Sequence, residues 1–454
     1  MNLYIDKVRA FRSKKENIPL CYVHSFGCQQ NVSDGEKIMG LLSEMGYGVT
    51  TEIDSADLII YNTCAVRENA EQRVYGMIGE LKHMKERKPE LIIGLCGCMA
   101  QEEKTVEKIR RTYKQVDLIF GTHALSELPR LLYEVLNERK FVYDTDEYDV
   151  SSSEIEPVRS CSFKASVPIM YGCNNFCSYC IVPYVRGREK SRAAEDIIAE
   201  VKKLAKNGCK EIMLLGQNVN SYGKNLETPV SFAELLRSLN DIEGDFKIRF
   251  MSPHPKDMTK DVIDAVFECD KVCKHIHLPL QSGSNEILHK MNRRYTVEQY
   301  MDIVSYIRSK SADFSLTTDI IVGFPNETYE DFLQTLKVVE EVKYDNIYSF
   351  IYSKRTGTKA AEIEDNTSDA DKSKWMTELL QTQRRVSTEH YKRFVGRTLD
   401  VLFDAESRHE GLLTGKSDEF IIVEAPCSDK SIIGQRRKVK ITKAYNWALH
   451  GEII

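Results

Sequence analysis

No apolar run in this 454-residue chain is long enough to span a membrane. The opening stretch, MNLYIDKVRAFRSKKEN, is charged and has no apolar signal core, so a cytoplasmic protein is expected. No charge of either sign dominates: 63 Lys and Arg stand against 68 Asp and Glu, a net charge of −5. Any contact with nucleic acid must therefore rest on local basic patches. There is no internal repeat, and the length is too great for one core, which suggests two to four domains. Cysteine, by contrast, is not scarce. An uneven count of 13, in a chain with no sign of export, favours metal ligation and free thiols over disulfides.

Three of these cysteines stand together, Cys173, Cys177 and Cys180 in YGCNNFCSYC, at C-x3-C-x2-C spacing. Three thiolates so spaced can cap three irons of a cubane cluster and leave a fourth iron open to a substrate. The C-x-x-C half is also compatible with a zinc knuckle or a redox pair, but no second C-x-x-C or His pair stands at zinc spacing.

Apolar runs CYVHSF, DLIIYN, LIIGL and VDLIFG alternate with helical patterns and predict an N-terminal open parallel α/β sheet over residues 19–143. The acidic, Ser-rich string at 144–160 reads as a linker. Over 161–389 six strand-plus-helix units predict a partial (β/α)6 barrel, whose first strand leads into the three-cysteine loop at the C-terminal face. Over 390–454 short β runs predict a small β-barrel. Cys28, Cys64 and Cys98 each end a predicted parallel strand, where such sheets form their ligand crevice. Gly27 and Gly97 precede two of them, as tight strand-to-loop turns require. Buried free cysteines are the competing reading of this second triad, and Cys96 is a rival ligand. Cys161, Cys209, Cys269, Cys273 and Cys427 match no ligand motif, and His275 and His277 read as interior groups of a barrel strand.

The C-x3-C-x2-C loop, with Tyr179 before its last cysteine, resembles the radical S-adenosylmethionine (SAM) superfamily. The strings SFGCQQN, NTCAVRE, GCMAQ, GCNNFCSYCIVPYVRGREKSR, LLGQNVNSYG, HLPLQSGS, MNRRYT and TDIIVGFPNET resemble its methylthiotransferase family. The subtype they resemble is the tRNA-2-methylthio-N6-dimethylallyladenosine synthases. Two departures are Asn326, where a glycine is common, and Lys359, where a proline is common.

The resemblance implies a radical SAM barrel, a TRAM-like RNA-binding C-terminal domain, and two 4Fe–4S clusters. Cys173, Cys177 and Cys180 would hold the first; Cys28, Cys64 and Cys98 would hold the second, which presents sulfur. SAM would serve both as methyl donor and as radical source, for methylthiolation of carbon 2 of N6-dimethylallyladenosine next to the tRNA anticodon. Gly216, Gln217 and Asn218, after the second barrel strand, fall where SAM is contacted in this superfamily. Arg186, Arg188, Lys190 and Arg192 border the cluster loop and suit a SAM carboxylate or RNA phosphate, Arg192 above all. Arg436, Arg437, Lys438, Lys440 and Lys443, with Tyr445 and Trp447 nearby, form a basic strand suited to RNA. A flavodoxin-type electron donor and a separate sulfur source are the other partners expected. The alternatives are a threonylcarbamoylated adenosine or a ribosomal-protein aspartate as substrate, or a non-catalytic iron–sulfur RNA-binding protein.

Overall fold

The computed structural model describes residues 1–13, 17–65, 68–148 and 155–454. Two compact units divide them: Met1–Ser160 with Ile181–Arg188, and Cys161–Cys180 with Glu189–Ile454.

In the first unit six strands form one parallel sheet: β1 (Leu20–Ser25), β2 (Gly48–Val49), β3 (Leu58–Thr63), β4 (Ile92–Gly97), β5 (Leu118–Phe120) and β6 (Val142–Asp144), in the order β2-β1-β3-β4-β5-β6. Every residue of β3 and β4 is buried, because helices cover both faces of the sheet. That double burial is why these strands are unbroken apolar runs. The edge strands β2 and β6 were not expected, and neither was the helix Asn2–Arg12, which packs on Leu128–Glu138. Asp144 belongs to β6, where it accepts from Arg130 and Tyr148. Of the expected linker, residues 149–154 lie outside those described, as do Val66 and Arg67 of NTCAVRE. Residues 155–160 lie against the helix Gln29–Glu44: Val158 donates to the Glu36 carbonyl at 3.0 Å, and Ser160 Oγ donates to the Glu36 carboxylate at 3.1 Å.

The second unit begins with β7 (Lys164–Pro168) and a two-stranded ribbon of β8 (Met170–Tyr171) with β9 (Lys190–Ser191). The parallel strands β10 (Glu211–Leu215), β11 (Lys247–Phe250), β12 (His275–His277), β13 (Ser315–Val322) and β14 (Asn346–Ile351) follow. They pair as β11-β10-β7 and β12-β13-β14. A parallel bridge between Ile248 and Val272 links the two groups. Six parallel strands in chain order make the partial barrel. Capping boxes at Ser231/Glu234, Thr296/Gln299 and Thr328/Asp331 start three of its helices by satisfying otherwise orphaned backbone N–H groups.

Five further strands close a second, smaller barrel: β15 (Thr398–Glu406), β16 (Leu412–Ser417), β17 (Ile422–Pro426), β18 (Arg436–Ala444) and β19 (Leu449–Ile453), in the order β15-β16-β17-β19-β18. It belongs to the same unit as the large barrel because the β16–β17 turn is seated among that barrel's strands. Arg249 of β11 donates to the Ser417 carbonyl at 2.6 Å, and Lys247 pairs with Asp418 at 2.9 Å. Ser315 of β13 donates to the Glu419 carbonyl at 2.7 Å, and the Phe420 ring stacks on His275 at 4.8 Å. Among the described residues no helix is long and apolar enough to cross a membrane.

The two departures noted in the sequence are absorbed locally. Asn326 takes the left-handed conformation, φ 61°, that a glycine would take, and Asn tolerates it. Lys359 opens a short helical turn, where the first N–H is unpaired in any case and proline and lysine are interchangeable.

Two candidate cysteine sites and their surroundings

In the first unit Cys28, Cys64 and Cys98 converge at the carboxyl ends of β1, β3 and β4. Cys64 hydrogen-bonds to Cys28. The Asn31 side-chain oxygen lies 3.9 Å from both the Cys28 and the Cys98 sulfur. Asn31 is the hub of this end of the sheet: its amide donates to the carbonyls of Phe26 and Thr63, each at 2.8 Å, and so ties the β1 and β3 exits together. Glycine is obligatory at both turns. At Gly27 (φ 94°) a Cβ would stand 2.5 Å from the Cys64 sulfur; at Gly97 (φ 90°) it would stand 2.4 Å from the Thr63 carbonyl oxygen. The positive φ of Gly97 also separates Cys96 from Cys98. Cys96 turns into the apolar core with Ile60, Ile92 and Leu118.

Arg186 completes this site, and sequence reading did not place it there. It is buried, its Nε lies 3.1 Å from the Cys98 sulfur, and its Nη2 donates to Asn31 Oδ1 (2.6 Å) and Asp34 (2.9 Å). Asn31 and Asp34 were missed as well; each is 152 or more residues from Arg186 in the chain. The Cys28 thiol is brought down to about 6, first by the hydrogen bond from Cys64 and then by the Arg186 charge. Burial holds Cys98 above the ordinary thiol range in spite of the same guanidinium.

In the second unit the loop of Cys173, Cys177 and Cys180 leaves the β8–β9 ribbon. It is anchored from the loops and short helices that follow the barrel strands. Lys256 donates to Asn175 Oδ1 at 2.7 Å, and the Asn292 amide to the Phe176 carbonyl at 2.9 Å. Ser178 Oγ donates to the Lys290 carbonyl at 2.8 Å. Asn174 and Glu189 exchange two hydrogen bonds at 3.2 Å. Arg293 donates to the Cys177 sulfur at 3.3 Å, and burial pushes Cys173 up to about 11.

Asn218 lies on the same ring of contacts. Its amide donates to Asp257 (2.9 Å) and Glu189 (3.3 Å), while its buried Oδ1 has no hydrogen-bond partner among the described residues. Gly216 has no room for a Cβ, which would meet Met170 Cγ at 2.6 Å, and Gln217 beside it is half-buried. His254, Asp257 and Glu189 were not singled out from sequence. His254 is held neutral by burial and the nearby Arg293, and its buried Nε2 has no partner among the described residues.

The expected basic run at 186–192 divides between the units. Arg186 and Arg188 belong to the first, Lys190 and Arg192 to the second. Arg192 Nη1 is engaged by Glu200 (2.9 Å) and the Pro168 carbonyl (2.6 Å), and its buried Nε has no partner among the described residues.

The basic strand β18 is not one uniform face. Arg436 is partly buried and taken up in ion pairs with Asp418 and Asp400, and Arg437 donates to Gln435 and the Arg436 carbonyl. Lys438, Lys440 and Lys443 are exposed, as is Trp447, and Lys443 lies over the Tyr445 ring at 4.7 Å.

Family models match in three places: the Radical SAM superfamily over residues 167–339, Uncharacterized protein family UPF0004 over 20–121, and the TRAM domain over 392–454. Curated relatives named tRNA-2-methylthio-N(6)-dimethylallyladenosine synthase match nearly the whole chain. The one from Thermoanaerobacter pseudethanolicus is 50% identical over 99% of this chain and 96% of its own length. The one from Acetivibrio thermocellus is 48% identical over 99% and 95%. Among solved structures, the radical S-adenosylmethionine methyltransferase TsrM from Kitasatospora setae, with cobalamin and a [4Fe-4S] cluster, covers 88% of this chain and 81% of its own. Its TM-score is 0.53 at 13% identity, a likeness of fold alone. With its parallel sheet, partial barrel and terminal β-barrel each matched, and relatives aligned end to end, the chain belongs to the tRNA-2-methylthio-N6-dimethylallyladenosine synthase family of radical SAM enzymes.

Proposed function

We propose that this chain methylthiolates carbon 2 of N6-dimethylallyladenosine beside the tRNA anticodon, with one 4Fe–4S cluster on Cys173, Cys177 and Cys180 and a second on Cys28, Cys64 and Cys98. The observation that carries the reading is the convergence of the second triad, three cysteines spread over 70 residues, with Cys28 and Cys98 at Asn31 and Cys64 at Cys28. Thiols are the only donors of both triads, which suits iron–sulfur clusters and not a hard cation. Among the described residues no three His, Cys, Asp or Glu side chains close on a single ion. The glycine turns at Gly27 and Gly97 keep side-chain carbon away from the Cys28, Cys64 and Cys98 triad, and beside the other triad the unpartnered Asn218 Oδ1 offers a polar ligand such as SAM an acceptor and His254 Nε2 a donor, since His254 Nδ1 already accepts from the Lys256 N–H.

When bound, the clusters and SAM supply one-electron chemistry able to take a hydrogen from an unactivated aromatic carbon, and a sulfur to replace it. The chain's own residues place and shield these groups. The β8–β9 ribbon, Lys256 and Asn292 fix the cysteine loop, so its thiols are preorganised. Gly216 lets a ligand approach the β10 exit closely, and Gln217, Asn218 and Arg192 Nε supply polar contacts there. Lys438, Lys440 and Lys443, with Tyr445 and Trp447, hold RNA phosphates and a stacked base. A flavodoxin-type one-electron donor and a separate sulfur source complete the cycle, in the cytoplasm where tRNA is modified.

Cys64→Ala tests the reading. It should still cleave SAM to 5′-deoxyadenosine under anaerobic reducing conditions, with little or no methylthiolated tRNA. Full product formation would show that Cys64 is not a ligand, and no SAM cleavage by the unaltered chain would favour a non-catalytic iron–sulfur RNA-binding protein. Substrate choice is tested by competition among tRNAs carrying prenylated, threonylcarbamoylated or unmodified adenosine. Burying a five-carbon prenyl group contributes on the order of 2–4 kcal/mol at about 0.8 kcal/mol per carbon, whereas a carboxylate in the same pocket costs desolvation. Faster reaction of either competitor would overturn the substrate assignment.

A further inference from the structure

Each cysteine triad has one buried guanidinium at one of its sulfurs, and the two are balanced differently. Arg186, at Cys98, is 6% exposed and forms an ion pair with Asp34 at 2.9 Å. Arg293, at Cys177, is 5% exposed and is held by neutral acceptors. Its Nε meets the Tyr295 hydroxyl at 3.2 Å, its Nη2 donates to the Pro279 carbonyl at 3.2 Å, and it lies 5.2 Å from the Tyr295 ring centre. A buried cation without a carboxylate partner is expensive to keep unless something nearby is anionic in the working state. Thiolates that carry a cluster are anionic, and reduction by one electron adds a further negative charge to them.

We propose that Arg293 is a positioning residue that sets the reduction potential of the cluster on Cys173, Cys177 and Cys180, favouring its reduced form, while Arg186, neutralised by Asp34, fixes the Cys98 sulfur with little influence on potential. The electron comes from an external one-electron donor, and no bond is made or broken. A full charge about 3 Å from a ligand sulfur acts through a low-dielectric interior and is barely screened by salt. An ion pair presents the other site with almost no net charge. The inference rests on the ligand assignment given under the proposed function.

The test uses the full-length chain, one cluster at a time. In a Cys28→Ala, Cys64→Ala, Cys98→Ala background the remaining cluster is titrated with dithionite and redox mediators, its reduced form followed by electron paramagnetic resonance. Arg293→Gln should lower the reduced fraction at fixed potential about tenfold, a shift of about 59 mV to lower potential. Arg293→Lys, which keeps the charge, should recover most of it. In a Cys173→Ala, Cys177→Ala, Cys180→Ala background Arg186→Gln should change the reduced fraction at fixed potential less than threefold. An unchanged potential in Arg293→Gln overturns the proposal, as does a larger shift from Arg186→Gln. If Arg293→Gln loads no iron, Arg293→Met is titrated in its place. Iron loss in both variants also overturns the proposal, because the residue is then needed for assembly. Absence of any cluster in the background with Arg293 intact would instead defeat the ligand assignment.

Discussion

Gly27 sits at φ 94° with the Cys64 Cβ and sulfur where its own Cβ would be. Gly27→Ala therefore adds about 1–2 kcal/mol of backbone strain and forces Cys64 aside. The variant should lose about half of the iron of the reconstituted enzyme, from the N-terminal cluster, and keep SAM cleavage; full iron content would show that the turn can yield. Glu327 is a second residue whose role is local. It is buried, accepts from the backbone N–H of Gly323 (2.5 Å) and Phe324 (3.3 Å), and burial raises its carboxyl to about 7 against an ordinary 4.5. A raised folded value means that the protonated carboxyl stabilises the fold. The contribution is complete below about 4.5 and is lost as pH climbs to about 7, on the order of 3 kcal/mol. Urea midpoints of the unaltered chain should fall across that window relative to Glu327→Gln; parallel profiles would show that Glu327 does not titrate there.

The β16–β17 turn, Ser417 to Phe420, is the element that most changes the reading of the C-terminal domain. Asp418 accepts from Lys247 and Arg436, and Arg249 reaches the turn's carbonyls from inside the barrel. Asp418→Ala removes a carboxylate shared by the partly buried Lys247 and Arg436, which keep Asp270 O and Asp400 as partners, and should cost about 2 kcal/mol, seen as a lower melting temperature; an unchanged melting temperature would mean that the turn is not fixed by these pairs. Nothing in LLTGKSDEF distinguishes this turn from a solvated hairpin, because a docked turn and a free one use the same residue types. The strands themselves were legible for the opposite reason: double burial in β3 and β4 demands uninterrupted apolar runs, and the cysteines after them mark their ends. Strands β2 and β6, two and three residues long, carry too few positions to show a period. Arg436 was counted with the RNA-facing strand because its partner Asp418 is 18 residues away and in that same turn. The gathering of Asn31, Asp34 and Arg186 was beyond the sequence altogether, since a contact across more than 150 residues leaves no local pattern.

For the whole molecule, the exposed lysines of β18 and the seated turn separate RNA binding from folding. Lys438→Glu, Lys440→Glu and Lys443→Glu together should weaken tRNA binding and reduce its salt dependence by up to about one unit of slope for each lost phosphate contact, with SAM binding unchanged. Equal affinity and slope in the triple variant would place the RNA elsewhere. Removing all residues after Gly396 is a poorer test, because it also strips Arg249, Ser315 and His275 of the turn that covers them. The two barrels should melt together in calorimetry, and a separate early transition for residues 397–454 would contradict that docking. A last consequence concerns synthesis. The chain visits the first unit, leaves it at Ser160, forms the three-cysteine loop, and returns with Ile181–Arg188 before leaving for good. The N-terminal cysteine site therefore lacks its guanidinium until residue 188 has cleared the ribosome, by which time the other cysteine loop has already been made. A nascent chain caught earlier holds three cysteines without the side chain that fixes the Cys98 sulfur, so the order of translation itself delays completion of the sulfur site until the barrel's own thiols exist.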